Sequence, residues 1–192
     1  RPVITLKADT PVISGNGKYS DINTEWTNDA KPYIITMDLV TPNATELKTR
    51  TVGEYVKINN NLWKIVNVNS SGETDLILVD WYKADGVNIY ISRFDTNTAN
   101  YSLMNNTRST NIAYYLKNTA YNILFTAADK ALVNENATWY QGDQYALGSN
   151  YTVSLNTTNS FTNVLALPKI ADMFTNQTEL SRAKTYTMWT MT

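Results

Sequence analysis

The chemistry open to this sequence is narrow, because two residue types on which most catalytic and metal sites depend are missing. The 192-residue chain contains no His and no Cys. His is the commonest general base and metal ligand, and Cys supplies the most reactive nucleophile and the thiolate metal ligand. The sequence also lacks a Gly-rich phosphate-binding loop. The composition therefore predicts a protein that is not an enzyme and that uses no cofactor and no metal.

Carboxylates are the acid-base residues that remain. Asp75, Asp80, Asp85 and Asp95 flank two predicted strands, and a pair of carboxylates is sufficient for glycoside hydrolysis. Aspartates at strand ends usually face water, however, and we adopt that interpretation. Oxygen-bearing side chains also alternate from Asn67 to Asp75, but the Gly and the final Glu of a calcium-binding loop are missing. A hydrolase site and a calcium site are therefore alternatives that the pattern does not favour.

Aromatic side chains are better suited to contact a ligand, and the chain contains 13 Tyr and 5 Trp. Their flat apolar faces stack on sugar rings and fill pockets in partner proteins. Two adjacent ring pairs stand at predicted strand ends or loops, where core packing is the alternative role. These candidate ligand-binding residues are Trp81, Tyr82, Trp139 and Tyr140.

The charge balance argues against nucleic acid and lipid as partners. With 16 basic and 17 acidic residues, the net charge of -1 gives no field that would attract phosphates or an anionic membrane. No apolar run is long enough to span a bilayer, so we expect no membrane insertion. The chain begins at Arg1, which favours removal of an upstream segment.

Asn and Thr are over-used relative to an average soluble protein, and charged residues make up only 17% of the chain. A surface that hydrogen-bonds through amides and hydroxyls tolerates varied pH and salt, which favours an extracellular location at a cell surface. The same composition produces Asn-X-Ser/Thr triplets, either as glycan acceptors or by chance. The candidate glycosylation sites are Asn43, Asn69, Asn105, Asn136, Asn150, Asn156 and Asn176.

Hydrophobic periodicity predicts an α+β fold that is dominated by β-strands. An antiparallel meander is predicted over residues 55–58, 62–66 and 76–79, with Asn-rich turns between its strands. Alternating or apolar runs predict further strands. They lie at residues 3–6, 33–37, 87–91, 163–167 and 186–190. Helical spacing begins at Ile112 behind the cap candidates Ser109 and Thr110, and a capping box at Thr126 opens a second, short helix.

The first 50 residues contain Pro11, Pro32 and Pro42 and several turn clusters, which favour an arm or a small added layer. We therefore expect an N-terminal strand and arm at residues 1–50 and an α+β module at residues 51–192. No repeat of about 20–50 residues is visible, which excludes a solenoid or a propeller.

Five short motifs distributed over about residues 52–192 resemble the C-type-lectin-like modules of Gram-positive bacterial surface and pilin-like proteins. They are Leu62-Trp63-Lys64-Ile65-Val66, Tyr114-Tyr115-Leu116-Lys117-Asn118, Trp139-Tyr140-Gln141-Gly142, Val164-Leu165-Ala166-Leu167-Pro168 and Tyr186-Thr187-Met188-Trp189-Thr190. The resemblance implies a mixed α/β module used for display and adhesion, without chemistry of its own.

One piece of the resemblance is out of order. Residues 1–7, followed by Ser14-Gly15-Asn16-Gly17, look like the strand and turn that close such modules at the C-terminal end, but here they open the chain. The module would then lack its last strand and have an open sheet edge. The candidate donor-strand residues are Pro2, Val3, Ile4, Thr5, Leu6 and Lys7.

Two arrangements would fill that edge. The N-terminal strand either folds back onto its own module, as in a permuted monomer, or enters the next copy and makes a polymer. The second arrangement predicts an extracellular structural subunit of a prokaryotic surface filament, with the chain itself as its partner. The alternative function is an adhesin module that binds a host or cell-surface glycan or protein through the ring pairs.

Overall fold

The computed structural model describes residues 1–19, 31–35, 45–80, 82–86, 88, 94–97, 104–141 and 159–168. The fold is α+β and dominated by β-strands, as the sequence predicts. The chain divides into two compact units. We call Ile4–Asp80 with Ile123–Asn134 the sheet unit, and Arg1–Val3 with Trp81–Asn122 and Glu135–Thr192 the hairpin unit.

The main sheet has seven strands in the described residues, in the spatial order β1-β7-β6-β5-β3-β2-β4. It is mixed, because β3 and β5 pair parallel while the pairs β2–β3, β2–β4, β5–β6 and β6–β7 are antiparallel. The strands are β1 (Val3–Leu6), β2 (Pro11–Ser14), β3 (Tyr33–Ile35), β4 (Thr45–Glu46), β5 (Tyr55–Ile58), β6 (Asn61–Val68) and β7 (Thr74–Leu78). A single 3-10 turn, Leu47–Thr49, follows β4.

The predicted meander is confirmed as β5, β6 and β7, whose successive pairs are antiparallel. Its alternation places one face in the core: Val56 and Ile58 are buried while Lys57 between them is exposed. Trp63 is fully buried, and its ring centroid lies 5.4 Å from that of Phe125. The period of two in the sequence therefore determined which face of these strands is buried.

The connection between β1 and β2 forces the sheet to curl. These strands are five positions apart in the sheet order, or about 24 Å in a flat sheet at the usual strand spacing. Only residues 7–10 join them, and the chain from Leu6 to Pro11 can span at most about 17 Å. The curl also brings Gly72, in the β6–β7 turn, against Ala8 and Lys48, where an added Cβ would lie 3.2 Å from the Ala8 Cβ.

Two helical segments occur in the described residues, and both begin near their predicted positions. The first is continuous from α1 (Ile112–Tyr115) through a π-helical stretch (Leu116–Ala120) to α2 (Tyr121–Leu124). Its N-cap is Asn111, whose side chain accepts a hydrogen bond from the Ala113 amide at 3.0 Å. Asn111 therefore fills the role that the sequence had assigned to Ser109 or Thr110.

The second helix, α3 (Ala127–Lys130), has the predicted capping box. The Thr126 hydroxyl accepts from the Asp129 amide at 3.1 Å, and the Asp129 carboxylate accepts from the Thr126 amide at 2.8 Å. These two bonds satisfy amides that the first turn of a helix leaves without partners. The chain then continues into residues 132–134, which contact β1.

The hairpin unit contains a two-stranded sheet formed by β8 (Thr138–Gln141) and β9 (Asn159–Thr162). The sequence did not predict β9. It predicted a strand at residues 163–167, where the structure has only an isolated bridge between Ala166 and Val3. The apolar run at 163–167 is buried as core without a continuous ladder partner. The predicted strands at 87–91 and 186–190 lie outside the described residues, apart from Asn88.

Part of the predicted arm lies in the main sheet. Strands β2, β3 and β4 fall within residues 1–50 and belong to the same sheet as the meander. The predicted boundary near Arg50 falls inside the sheet unit, directly after the 3-10 turn. The Pro-rich composition marks the ends of short strands here, not a linker.

We predict that the β5–β6 turn controls the stability of the sheet unit. Its two residues, Asn59 and Asn60, both have positive φ, 45° and 61°, as a type I′ turn requires. Asn60→Gly should raise the urea midpoint of unfolding, because glycine adopts this conformation without strain. Asn60→Val should lower the free energy of unfolding by about 1–2 kcal/mol. Equal midpoints for the two variants would contradict this assignment of the turn.

Candidate functional site

The candidate site is built around β1, because this strand is buried on both faces. Val3 and Ile4 have no exposed surface, and Thr5 and Leu6 are 5% and 1% exposed. Side chains alternate between the two faces of a strand, so neither face is open to water. Within the sheet unit, Ile4–Leu6 lies between β7 and residues 132–134. We call this space the strand slot.

Both walls of the strand slot bind the backbone of β1. On one side β7 is its hydrogen-bonded neighbour in the sheet. On the other side the Asn134 amide donates to the Thr5 carbonyl at 2.9 Å, and the Lys7 amide donates to the Leu132 carbonyl at 2.9 Å. Leu6 and Val133 are antiparallel partners there. The slot therefore satisfies backbone groups along both edges of the inserted strand.

Side-chain contacts add to this backbone pairing. The Thr5 hydroxyl donates to the Asp75 carboxylate at 2.6 Å, and the other carboxylate oxygen of Asp75 accepts from the Asn67 amide group at 2.9 Å. At the far end of the strand, the Lys7 ammonium donates to the Ala131 carbonyl at 2.6 Å. The sequence did not identify residues 131–134 or Asp75 as partners of β1, because no local pattern links positions so far apart in the chain.

In the hairpin unit, Val3 makes a separate backbone pair. Its amide donates to the Ala166 carbonyl at 2.9 Å, and the Ala166 amide donates to the Val3 carbonyl at 3.0 Å. This closely spaced pair of bonds is typical of antiparallel strands. Val3, Thr5 and Lys7 of the predicted donor strand therefore each make hydrogen bonds within their own chain.

A tight turn follows β1. The Thr10 amide and hydroxyl both donate to the Lys7 carbonyl, at 3.1 and 2.7 Å. Because β2 starts at Pro11 and is part of the main sheet, the segment that could pass to a second copy of the chain ends before β2. Only residues 7–10 can then act as a hinge, in place of the arm of 40 or more residues that the sequence suggested.

Tyr82 and Trp139, one residue of each ring pair, are buried. Tyr82 is 7% exposed, and its hydroxyl lies 3.3 Å from that of Tyr115. Trp139 is 4% exposed, and its indole nitrogen donates to the Asn163 carbonyl at 2.7 Å. Little of either ring is left to stack on a ligand. Tyr140 is half-buried, and Trp81 lies outside the described residues.

Two of the Asn-X-Ser/Thr triplets form turns. The side-chain oxygen of Asn69 accepts from the amide and hydroxyl of Ser71 at 3.0 and 2.7 Å, and that of Asn105 accepts from the amide and hydroxyl of Thr107 at 2.9 and 2.7 Å. Such Asx turns replace missing backbone bonds. Asn136 is exposed in a third turn, while the remaining triplets, at Asn43, Asn150, Asn156 and Asn176, lie outside the described residues. Glycosylation of any of the seven stays a prediction.

Asp95 is fully buried in the hairpin unit and organises a polar cluster. Its carboxylate accepts from the Asn97 amide at 2.9 Å and from the Asn111 side chain at 3.0 Å, and the Arg108 guanidinium lies 3.3 Å away. Burial raises the pKa of Asp95, but the hydrogen bonds from Asn97, Thr110 and Asn111 and the charge of Arg108 outweigh it. The net pKa therefore lies below its ordinary value.

No family model matches the chain, and no match was found among curated proteins or solved structures. Within the described residues, no group of three or more acidic side chains is placed to hold a metal ion. The helices of that same part of the chain are all too short or too polar to cross a bilayer.

We predict that Asp95 makes the stability of the hairpin unit depend on acid pH. A depressed pKa in the folded state contributes stability that is fully present above the unfolded value of about 3.9 and is lost as the pH falls through the folded value. Asp95→Asn should therefore be less stable than the parent at pH 7, with a difference that narrows below about pH 4. Urea unfolding as a function of pH measures this, with the exposed Asp80→Asn as control. A difference between parent and Asp95→Asn that stays constant from pH 7 to pH 2 would contradict it.

Proposed function

We propose that this protein is an extracellular structural subunit of a prokaryotic surface filament, with a C-type-lectin-like module that assembles head-to-tail. In the filament, β1 of one copy occupies the strand slot of the next. The observation that carries the proposal is that a strand at the N-terminal end of the chain is buried on both faces and bonded along both edges. A slot of this kind is the acceptor that strand complementation requires.

In the single chain the strand slot is filled by the chain's own β1, which is the arrangement expected of a permuted monomer. Exchange of an identical element between copies replaces each of these contacts by the same contact with a neighbour. The cost is then the opening of the turn at residues 7–10 and the entropy of association, while every bond across the slot is recovered. Because donor strand and slot are different surfaces, the contact is heterologous, and it propagates as a filament where the rotation between neighbouring copies does not close a ring.

The composition supports this role at a cell surface. The chain has a weakly charged surface rich in amides and hydroxyls, and its lack of His and Cys favours a structural over a catalytic function. The five motifs that resemble C-type-lectin-like modules point in the same direction. We therefore place the protein outside the cell, with itself as the main partner.

A second candidate function is that of an adhesin module that binds a glycan or a protein. The β8–β9 hairpin favours it, since Tyr140, one of the candidate ligand-binding residues, is only half-buried there. A binder of this type would be a discrete monomer, and Tyr140→Ala would abolish its binding to a glycan array. The two functions therefore differ in their assembly state.

We predict that a disulfide across the strand slot distinguishes exchange from self-pairing. Leu6 and Val133 are antiparallel partners, and such partners have Cα atoms about 4.5–5.5 Å apart, within the range of a disulfide. The chain has no Cys of its own, so Leu6→Cys with Val133→Cys introduces the only thiols. In assembled samples, exchange should give a covalent ladder on a non-reducing gel.

The matched control is Lys57→Cys with Leu62→Cys, which are partners in the β5–β6 hairpin and stay within one chain in either arrangement. Fibres visible by electron microscopy in which the disulfide between positions 6 and 133 is purely intramolecular would contradict strand exchange. A chain that is monomeric under all conditions, with the bond intramolecular, would favour the adhesin function.

We also predict that deletion of residues 1–7 leaves a monomer that cannot polymerise. Val3, Ile4 and Leu6 are at most 1% exposed, and burial of such side chains contributes about 1.5–3 kcal/mol each. Their combined loss is about 5–9 kcal/mol, so the truncated monomer should have a much lower Tm than the full-length chain. A synthetic peptide of residues 1–7 should therefore raise the Tm with increasing concentration. Fibres formed by the truncated chain would contradict the donor-strand mechanism.

A further inference from the structure

The strand slot contains a part-buried hydrogen bond between two side chains, and we propose that this contact selects the strand that enters and fixes its register. Asp75 is the selecting residue, and the Thr5 hydroxyl is the group that it recognises. This inference rests on the proposed function, because it concerns the same slot. It adds the chemistry by which the slot distinguishes the correct strand, and the correct alignment of that strand, from others.

The contact stands out against its surroundings. Thr5 is 5% exposed and lies between Ile4 and Leu6, which are 0% and 1% exposed. Its hydroxyl donates to Asp75 at 2.6 Å, a length typical of a hydrogen bond to a charged oxygen. Asn67 holds the other carboxylate oxygen at 2.9 Å, so the acceptor is fixed before the strand arrives.

Backbone pairing alone does not determine register, since a strand that slides by two residues recovers an equivalent ladder. A slide by one residue would place Ile4 or Leu6 against Asp75 and leave the carboxylate without its donor. A slide by two would place Val3 or Lys7 there. The slide that brings Lys7 to Asp75 also places Ala8 in the site that Leu6 fills, which leaves a cavity in the core.

The occupant that satisfies this slot is an extended segment with a hydroxyl side chain flanked on both sides by large apolar residues. Residues 3–6, Val-Ile-Thr-Leu, have this pattern. We therefore assign as the partner the β1 strand of a second copy of this chain. A strand with an apolar residue in place of Thr5 would pair with the same backbone but would lose the contact that opposes sliding.

The first test compares substitutions that remove a hydroxyl without changing shape. Thr5→Val should lower the Tm of the full-length chain by about 3–10 °C. The matched control is Thr74→Val in β7, which is also fully buried and whose hydroxyl has no hydrogen-bond partner within the described residues. Thr74→Val should leave the Tm unchanged or raise it. Thr5→Val should have no further effect in a chain that already carries Asp75→Ala.

Thr5→Ser separates recognition from general strand preference. β-propensity and apolar burial alone would rank valine at or above threonine and serine below it. Recognition by Asp75 predicts the reverse, because serine keeps the hydroxyl that valine lacks. If Thr5→Val is at least as stable as the parent while Thr5→Ser is destabilised, Asp75 does not select the strand.

The second test uses disulfide trapping in the full-length chain to measure the register of β1 against residues 131–133. Leu6→Cys should bond to Val133→Cys in the native register. Leu6 and Ala131 are not partners in the native register, because Ala131 is the C-cap of α3 and lies two residues before Val133, so we expect Leu6→Cys to bond to Ala131→Cys only after a slide by two residues. With Thr5 present, we expect the native pair to form and the slipped pair to fail. Thr5→Val and Asp75→Ala should each slow the native bond several-fold and allow the slipped one.

If Thr5→Val and Asp75→Ala leave the slipped pair as unreactive as in the parent, the inference is wrong. These disulfides form within one chain in dilute solution, so their outcome does not depend on whether fibres exist. Fibres with a freely sliding strand would overturn the role of Asp75 and leave the filament intact. A fixed register in a chain that never polymerises would support the role of Asp75 and overturn the filament.

Discussion

The connection of residues 7–10 constrains the rest of the sheet unit. It joins strands that stand at positions one and six of the sheet order, so a flat sheet cannot form. The curl that results brings the β6–β7 turn against Ala8 and Lys48 and encloses the core around Trp63. One short segment thus converts a row of short strands into a closed core.

The burial of β1 depends on a segment that is distant in the chain. An edge strand normally leaves one row of backbone groups open, which invites pairing with other chains. Here residues 132–134 cover that row, and Val133 pairs with Leu6. A strand held along both edges stabilises the single chain strongly, and in the filament that we propose the same slot accepts the same strand from a second copy. Stability in one chain and assembly of many copies would then depend on the same set of contacts.

Asparagine side chains stabilise several turns and one helix cap of this protein. They close turns at Asn69 and Asn105, cap α1 at Asn111 and occupy both left-handed positions of the β5–β6 turn. Amide groups do this well, because one side chain both accepts and donates hydrogen bonds beside its own backbone. The sequence suggests that the abundance of Asn belongs to an exposed outer surface. The structure shows that several of these Asn residues close turns or cap a helix.

The sequence by itself determined the local features of this protein. Strand alternation predicted the meander, and the capping box at Thr126 predicted the start of α3, since both depend on residues a few positions apart. Only the tertiary structure decided that β2, β3 and β4 join the sheet of the meander, that Tyr82 and Trp139 are buried, and that Asp75 and residues 132–134 contact β1. These features depend on how the sheet curls and which distant segments it brings together, and no local pattern of residues specifies that.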